Sequence, residues 1–410
     1  MIPLRPILST LRRHKTAAAL IVLEIALTCA IVCNAAFLIF NRVDRLQLVT
    51  GLADHELVVL GVRNVQRDAN ALATTAEDLA RLRALPGVKG AAVVNQLPFG
   101  SHSTRSGLSL VPRQPNPTVD VATYAGGPGA IATMGLRLVE GRDFQADEYR
   151  DYTALMGDGA HVPSAILDRR TAERVFPGRS AIGQSIYVFG DDPIRVVGVV
   201  ERLVPPHPDQ DDGGPAGSTY TVLVPAQPAY NNGEFVVRTD PAQREAVLKA
   251  AVAALDRHDG SRIINSPRTY EDLRESYYRS DVAMVKLLLG VIVALLVVTA
   301  FGIVGLASFW VQQRTRMIGT RRALGATRAQ VRQYFQAENL LLTSAGIALG
   351  MAGAYGINQW LMTQYELPRL PALYLPVGAL LLWGLGQLAV LAPARRAAAV
   401  PPALAMRGLA

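Results

Sequence analysis

LLLGVIVALLVVTAFGIVGLASFWVQQRTRMIGTRRALGATRAQVRQYF runs from Leu287 to Phe335, and its reading decides the architecture. Its first 25 residues, Leu287 to Val311, carry no charge. That exceeds the ~20 apolar residues that cross a bilayer. Directly behind them come six arginines (Arg314, Arg316, Arg321, Arg322, Arg328 and Arg332) with no acid up to Phe335. A membrane span followed by a dense, uncompensated basic segment is a topology signal before it is anything else.

Three further runs have the same character. Ala17 to Phe40 is broken only by Glu24, while Asn339 to Thr363 and Pro371 to Ala394 are uncharged. The 410 residues are 50% hydrophobic and carry a net charge of +8. That charge is unevenly placed. Asn41 to Ala283 holds 26 Lys/Arg against 30 Asp/Glu, leaving 15 basic and only 3 acidic residues for the rest of the chain. The excess therefore flanks the apolar runs. Arg5, Arg12, Arg13 and Lys15 precede the first, the six arginines divide the second from the third, and Arg395, Arg396 and Arg407 follow the fourth. The positive-inside rule puts both termini and the arginine loop in the cytoplasm and Asn41 to Ala283 outside. Nucleic-acid binding is not needed to explain the basic residues. The first run, at 24 residues, is longer than the ~7–15-residue core of a signal peptide and reads as an uncleaved anchor. Cys29 and Cys33 lie one turn apart inside it as packing residues, so the outer region has no disulfide.

In the outer region, HELVVLGVR (His55 to Arg63) reads as a strand, about Thr75 to Ala84 as a helix, and Val88 to Asn95 as a strand. Thr75 with Asp78 forms a candidate capping box. A second β-α-β unit follows late: EFVVRT (Glu234 to Thr239), a helix opened by Asp240 and Pro241, then SRIIN. The two units predict one subdomain assembled from both ends of the loop, with an inserted α+β subdomain over about 97–228. Pro205 to Gly217 reads as a loop by composition. Ser266 to Leu288 predicts a helix feeding directly into the second span.

Catalytic chemistry is absent at the motif level. None of the four lysines (Lys15, Lys89, Lys249, Lys286) follows a glycine, which excludes a P-loop. His55-Glu56 lacks the second histidine of a zinc helix, since Val59 stands there. Asp209, Asp211 and Asp212 beside Gly213 lack the distal glutamate of a calcium loop. Glu24 lies eight residues, or about 12 Å, into its span. An intramembrane carboxylate points either to a function or to a group reaching the headgroups or a neighbouring helix.

The arginine loop itself carries local structure. Gly325 predicts a helix stop, and Thr327 with Gln330 predicts the cap of a new helix presenting Val331, Tyr334 and Phe335 on one side. Anionic lipid would account for the arginines. A docking element for a cytoplasmic partner accounts for the arginines and for the ordered turn. In the third span, Gly346, Gly350, Gly353 and Gly356 permit close helix packing.

At this point RTRMIGTRRALGATRAQV resembles the cytoplasmic segment of the FtsX/MacB-type ABC transporter permeases. PARRAAAVPPALAMRGL (Pro393 to Leu409) is similar to that family's C-terminal ending, and GLRLVEGRDF and AERVFPGRSAIGQSI resemble its outer core domain. The resemblance implies an α-helical membrane protein with four transmembrane helices, arranged 1+3, and a large α+β periplasmic domain of two subdomains. The layout is a cytoplasmic N-terminus (1–16), first span (17–40), MacB-like periplasmic core domain (41–283), second span (284–311), cytoplasmic coupling hairpin (312–338), third span (339–363), periplasmic loop (364–370), fourth span (371–394) and cytoplasmic C-terminus (395–410). The coupling residues it implies are Arg314, Arg316, Met317, Ile318, Gly319, Arg321, Arg322, Ala323, Leu324, Gly325, Ala326 and Thr327.

The implied partners are a cytoplasmic ATP-binding subunit, a second permease copy or paralogue, and a periplasmic adaptor with an outer-membrane channel. The chain itself is non-catalytic and binds no cofactor; ATP and Mg²⁺ enter through the ATPase. The expected role is mechanotransmission in an inner membrane, driving efflux of a peptide, antibiotic or toxic compound. An FtsX-like signaller controlling periplasmic enzymes and a lipoprotein-release permease share the topology, and a membrane-anchored periplasmic enzyme is a further alternative without a catalytic constellation to support it. One departure stands out: the family usually has Glu where Met317 stands, which bears on the strength or symmetry of the ATPase contact.

Overall fold

The computed structural model describes residues 15–64, 70–157, 161–208, 220–257, 262–365 and 374–400. Arg5, Arg12, Arg13, Arg407, the aspartates at 209, 211 and 212, and most of the predicted 364–370 loop lie outside these residues. The chain divides into two compact units, Gln47–Arg279 and the remainder.

The helices are α1 (Lys15–Leu46), α2 (Ala71–Arg83), α3 (Ala130–Met134), α4 (Tyr152–Gly157), α5 (Arg169–Val175), α6 (Arg244–Asp256), α7 (Tyr270–Gln313), α8 (Thr315–Ala323), α9 (Arg328–Tyr365) and α10 (Tyr374–Ala398). Four of them, α1, α7, α9 and α10, are long and apolar enough to cross a membrane. The strands are β1 (Leu57–Asn64), β2 (Val88–Val94), β3 (Arg105–Leu108), β4 (Val119–Ala125), β5 (Leu138–Gly141), β6 (Arg150–Asp151), β7 (Ser164–Asp168), β8 (Ser185–Ile186), β9 (Ile194–Val200), β10 (Thr221–Val224), β11 (Ala226–Gln227), β12 (Glu234–Thr239) and β13 (Arg262–Thr269).

In unit Gln47–Arg279, an antiparallel sheet is ordered β13-β1-β12-β2. Its strands come from β1-α2-β2 and β12-α6-β13, the split βαβ arrangement. Alternation sends Val58, Leu60, Val62, Val93, Phe235 and Val237 to one face, where they pack on Leu79, Leu82, Val247, Ala251 and Leu255 of the two helices. Within the same unit, the chain between β2 and β12 forms a mixed sheet, β3-β4-β10-β7-β9-β5 with β8 on β9, which builds a second core around Val121, Leu167, Val196 and Val222.

Local readings shift in three places. Thr75 is not a cap: α2 starts at Ala71, Thr75 Oγ1 donates to Ala71 O and accepts from Tyr230 N–H, and Asp78 is buried against Arg262. Asp240 occupies the cap position before Pro241 but makes no side-chain cap, and its carboxylate pairs with Lys89 instead. Residues 266–269 belong to β13, and α7 begins at Tyr270 behind a reciprocal Thr269–Asp272 cap. The first turns of α7 are held tightly within this unit. Tyr270, Tyr277 and Tyr278 surround Phe99 with centroids 6.2, 5.2 and 5.2 Å away, and Arg274 reaches Asp54 at 2.8 Å.

In the other unit the apolar helices form a bundle around Ile21, Ile25, Cys29, Ile303, Leu342 and Leu382. Several polar groups are paired across helices: Thr28–Thr299 at 2.8 Å, Trp383 Nε1 to Ser344 Oγ at 3.0 Å, and the Arg42–Asp281 ion pair. Such pairing keeps polar atoms satisfied where lipid offers no partner.

Candidate functional site: the arginine hairpin

The arginine-rich segment folds as a helical hairpin. Helix α7 does not continue smoothly into it. At Arg314 the backbone leaves helical values (φ −103, ψ 12) and α8 begins at Thr315. The Arg314 side chain is buried and donates through Nη1 to both carboxylate oxygens of Glu338 on α9, at 2.9 and 2.8 Å. Its guanidinium also lies 5.3 Å from the Trp310 ring. Arg314 is thus compensated, contrary to the sequence expectation. The acid that pairs with it lies 24 residues away, just beyond the basic stretch.

The tip is defined by backbone chemistry. Gly325 takes φ +97. Its N–H donates to Arg322 O at 3.1 Å, and Ala326 N–H donates to Arg321 O at 3.0 Å. These two bonds make a Schellman stop, whose positive φ suits glycine. Thr327 Oγ1 then accepts from Gln330 N–H at 3.2 Å, and Gln330 Oε1 accepts from Thr327 N–H at 2.9 Å. This reciprocal pair is a capping box.

The hairpin is anchored by Ile318, Val331, Tyr334 and Phe335, packed with Val311, Ala394 and Ala397. Gly319 is also buried. Arg322 donates through Nη1 to Ala398 O and Val400 O at 3.1 and 2.8 Å, tying the hairpin to the end of α10. Arg321 lies over the Tyr334 ring at 4.9 Å. What remains on the surface is Arg316, Arg321, Arg328 and Arg332, with Ala323 beside them, Met317 and Ala326 half-buried, and Leu324 at the apex, 83% exposed. The exposed face is therefore cationic, rigidly held and crowned by an apolar side chain. Among the described residues no three His, Cys, Asp or Glu side chains cluster as metal ligands.

The other singled-out residues lie within the bundle. A Cβ on Gly346 would stand 2.7 Å from Ile25 Cβ, and one on Gly350 would stand 2.6 Å from Ala26 O, so both bring α9 against α1. Gly353 only approaches Ala30, at 4.0 Å, and Gly356 meets nothing within 4 Å. The Glu24 carboxylate rests against Gly302 of α7, where a Cβ would come within 2.4 Å of both of its oxygens. Glu24 therefore occupies a helix-helix notch rather than reaching out freely. Sequence reasoning missed Glu338; its position as the first acid after six arginines was the available signal.

The family described as MacB-like periplasmic core domain matches residues 18–255, and the family described as FtsX-like permease C-terminal matches residues 289–402. The macrolide export ATP-binding/permease protein MacB of Chromobacterium violaceum is 28% identical over 307 residues, 71% of this chain and 44% of the relative. MacB 1/2 of Paracoccus denitrificans is 26% identical over 368 residues, 87% of this chain and 50% of the relative. The chain thus spans about half the length of the curated relatives it matches. The periplasmic region of MacB from Actinobacillus actinomycetemcomitans overlays 55% of this chain and 94% of its own at 13% identity and a TM-score of 0.32, at which the likeness carries no argument. The order of parts agrees with the two family matches, an apolar first helix and α+β domain followed by three membrane helices, and on that ground the chain belongs to the permease family that joins a MacB-like periplasmic core domain to an FtsX-like C-terminal segment.

Proposed function

We propose that this chain is the membrane-spanning permease of an ABC transporter and that the hairpin Arg314 to Thr327 docks on a separate cytoplasmic ATP-binding subunit. The observation that carries the reading is the hairpin's construction. A capped, ion-paired and packed element presents four exposed arginines and an 83% exposed Leu324. A loop serving only as a topology signal needs the charge but not the Schellman stop, the capping box or the buried Arg314–Glu338 pair. The exposed leucine supplies an apolar contact, and the arginines, a residue type enriched at interface hot spots, supply steering and hydrogen bonds.

ATP and Mg²⁺ belong to the partner in this reading. This chain has no Gly-Lys pair with which to build a phosphate loop. Closure of the ATPases would push α8, and α7 would carry the displacement outward. That helix is continuous over 44 residues, and its first turns are clamped in the outer unit by the Phe99–tyrosine cluster. The name of the relatives, macrolide export proteins, supports efflux of a drug-like or toxic compound, with a dimer of permeases, a periplasmic adaptor and an outer-membrane channel as the further partners. Met317, half-buried on α8, offers no anion to the ATPase, which favours pairing with a second, different permease chain.

The test is co-purification from mildly solubilised membranes. An ATP-binding subunit is expected with the wild type and is expected to be lost from an Arg316→Glu, Arg321→Glu, Leu324→Asp variant that still inserts at wild-type levels. Equal recovery from both proteins would reduce the hairpin to a lipid-facing signal.

A further inference from the structure

The outer unit holds a polar cleft that the hairpin reading does not use. The four-stranded sheet covers one face with α2 and α6; the other face bears Glu234, Arg268 and Arg63. Their placement follows from register. Glu234 on β12 pairs with Gly61 on β1, which pairs with Asn265 on β13. One step along, Val236 pairs with Val59, which pairs with Arg268. Directly paired residues of an antiparallel sheet point to the same face. A cleft of about 320 Å³ opens over this face, closed on its other side by Ser101, His102 and Asn232.

Two of its groups are unsatisfied. Glu234 Oε2 and Arg268 Nε are both sealed from solvent, and neither has a hydrogen-bond partner among the described residues. Buried polar atoms are almost always paired, so two orphaned ones beside a cleft call for an explanation. Burial pushes the Glu234 carboxyl above its ordinary value, against the pull of Arg268, His102 and Arg63. The two groups do not neutralise each other because β1 runs between their strands, and strands lie about 4.8 Å apart. Beside Glu234, β1 contributes Gly61, which leaves that part of the floor without a side chain, while Val59 lies in the row of Arg268. The cleft thus offers a carboxylate on one side and a guanidinium on the other, at the small end of ligand-pocket volumes.

We propose that this cleft binds a short zwitterionic peptide, with its ammonium on Glu234 and its carboxylate on Arg268 and Arg63. A ligand carrying both charges meets both the carboxylate side chain and the guanidinium side chain that line the cleft. A simple anion would leave Glu234 unpaired and repelled, and a simple cation would do the same to Arg268. Asn232 and Ser101 at the rim provide neutral donors and acceptors for the peptide group. The site lies entirely within one unit and does not depend on the hairpin or on ATP.

The experiment is calorimetric titration of the full chain in detergent at neutral pH with dialanine, N-acetyl-dialanine and dialanine amide. Dialanine is expected to give a saturable heat, and each blocked form is expected to bind at least about tenfold more weakly. Glu234→Gln should abolish the penalty for acetylation and leave that for amidation, and Arg268→Gln should do the reverse. No saturable heat from dialanine overturns the proposal and leaves a water-filled cleft. Equal binding of blocked and free peptides, or binding untouched by both variants, overturns it as well. If either variant fails to fold, discrimination by the wild type between free and blocked peptides decides alone.

Discussion

At the scale of single residues, the most consequential feature is the Arg314–Glu338 pair. Both side chains are almost completely buried, at 6% and 2% exposed. Burying an ion pair adds little net stability, but removing one partner strands the other charge at a cost of about 3–5 kcal/mol. Arg314→Ala is therefore expected to lower the melting temperature in detergent markedly, while the double change Arg314→Met, Glu338→Leu recovers most of the loss. A milder Arg314→Ala than double variant in thermal unfolding would refute the pairing. In the unit Gln47–Arg279, Glu148 accepts from Arg142 at 2.7 and 2.8 Å and from Gln145 N–H at 2.7 Å. Chiefly through Arg142, its carboxyl is held down at about 2, against an ordinary 4.5. Its contribution is present above the unfolded value near 4.5 and disappears as the pH falls towards 2. Glu148→Gln should therefore cost about 1–3 kcal/mol at neutral pH, with the difference from wild type closing between pH 4.5 and 2 in unfolding curves.

At the scale of elements, the hairpin and the glycine stripe separate what sequence reveals from what packing decides. The stop at Gly325 and the cap at Thr327–Gln330 are local, so spacing alone points to them. The kink at Arg314 is not local; it coincides with the inward turn of a side chain towards α9. The four glycines look equivalent in sequence at helical spacing, yet only Gly346 and Gly350 meet α1 closely. A methyl at Gly350 would stand 2.6 Å from the Ala26 carbonyl oxygen and must push the helices apart. Overpacking of this kind costs about 1–3 kcal/mol. Gly350→Ala is expected to destabilise the bundle by that amount and Gly356→Ala to leave it unchanged, compared by thermal unfolding in one detergent. Equal effects would show that the stripe acts through helix propensity and not through contact.

At the scale of the molecule, the orientation proposed from charge is checked by labelling. Single cysteines at Ser101 in the unit Gln47–Arg279 and at Leu324 on the hairpin tip are both exposed positions. The native Cys29 and Cys33 are buried and should stay silent. A membrane-impermeant maleimide is expected to label the Ser101 position in intact spheroplasts and the Leu324 position only after lysis. The opposite pattern would invert the topology and with it the cytoplasmic docking surface.

The four spans, the α+β character of residues 41–283 and the capped turn in the arginine loop were all legible in the chain alone. Each rests on short-range rules: the length of an uncharged run, alternation along a strand, and the spacing of glycine, threonine and glutamine. Tertiary structure decided which charges meet. Arg314 finds Glu338 on another helix, and Asp78, read locally as a cap, is claimed by Arg262, 184 residues away. Glu234 and Arg268 come to one open sheet face only because β12, β1 and β13 pair in that register. Contacts between residues far apart in the chain depend on how strands and helices are brought together. A carboxylate in a sequence carries no mark of which guanidinium, or which ligand, will neutralise it.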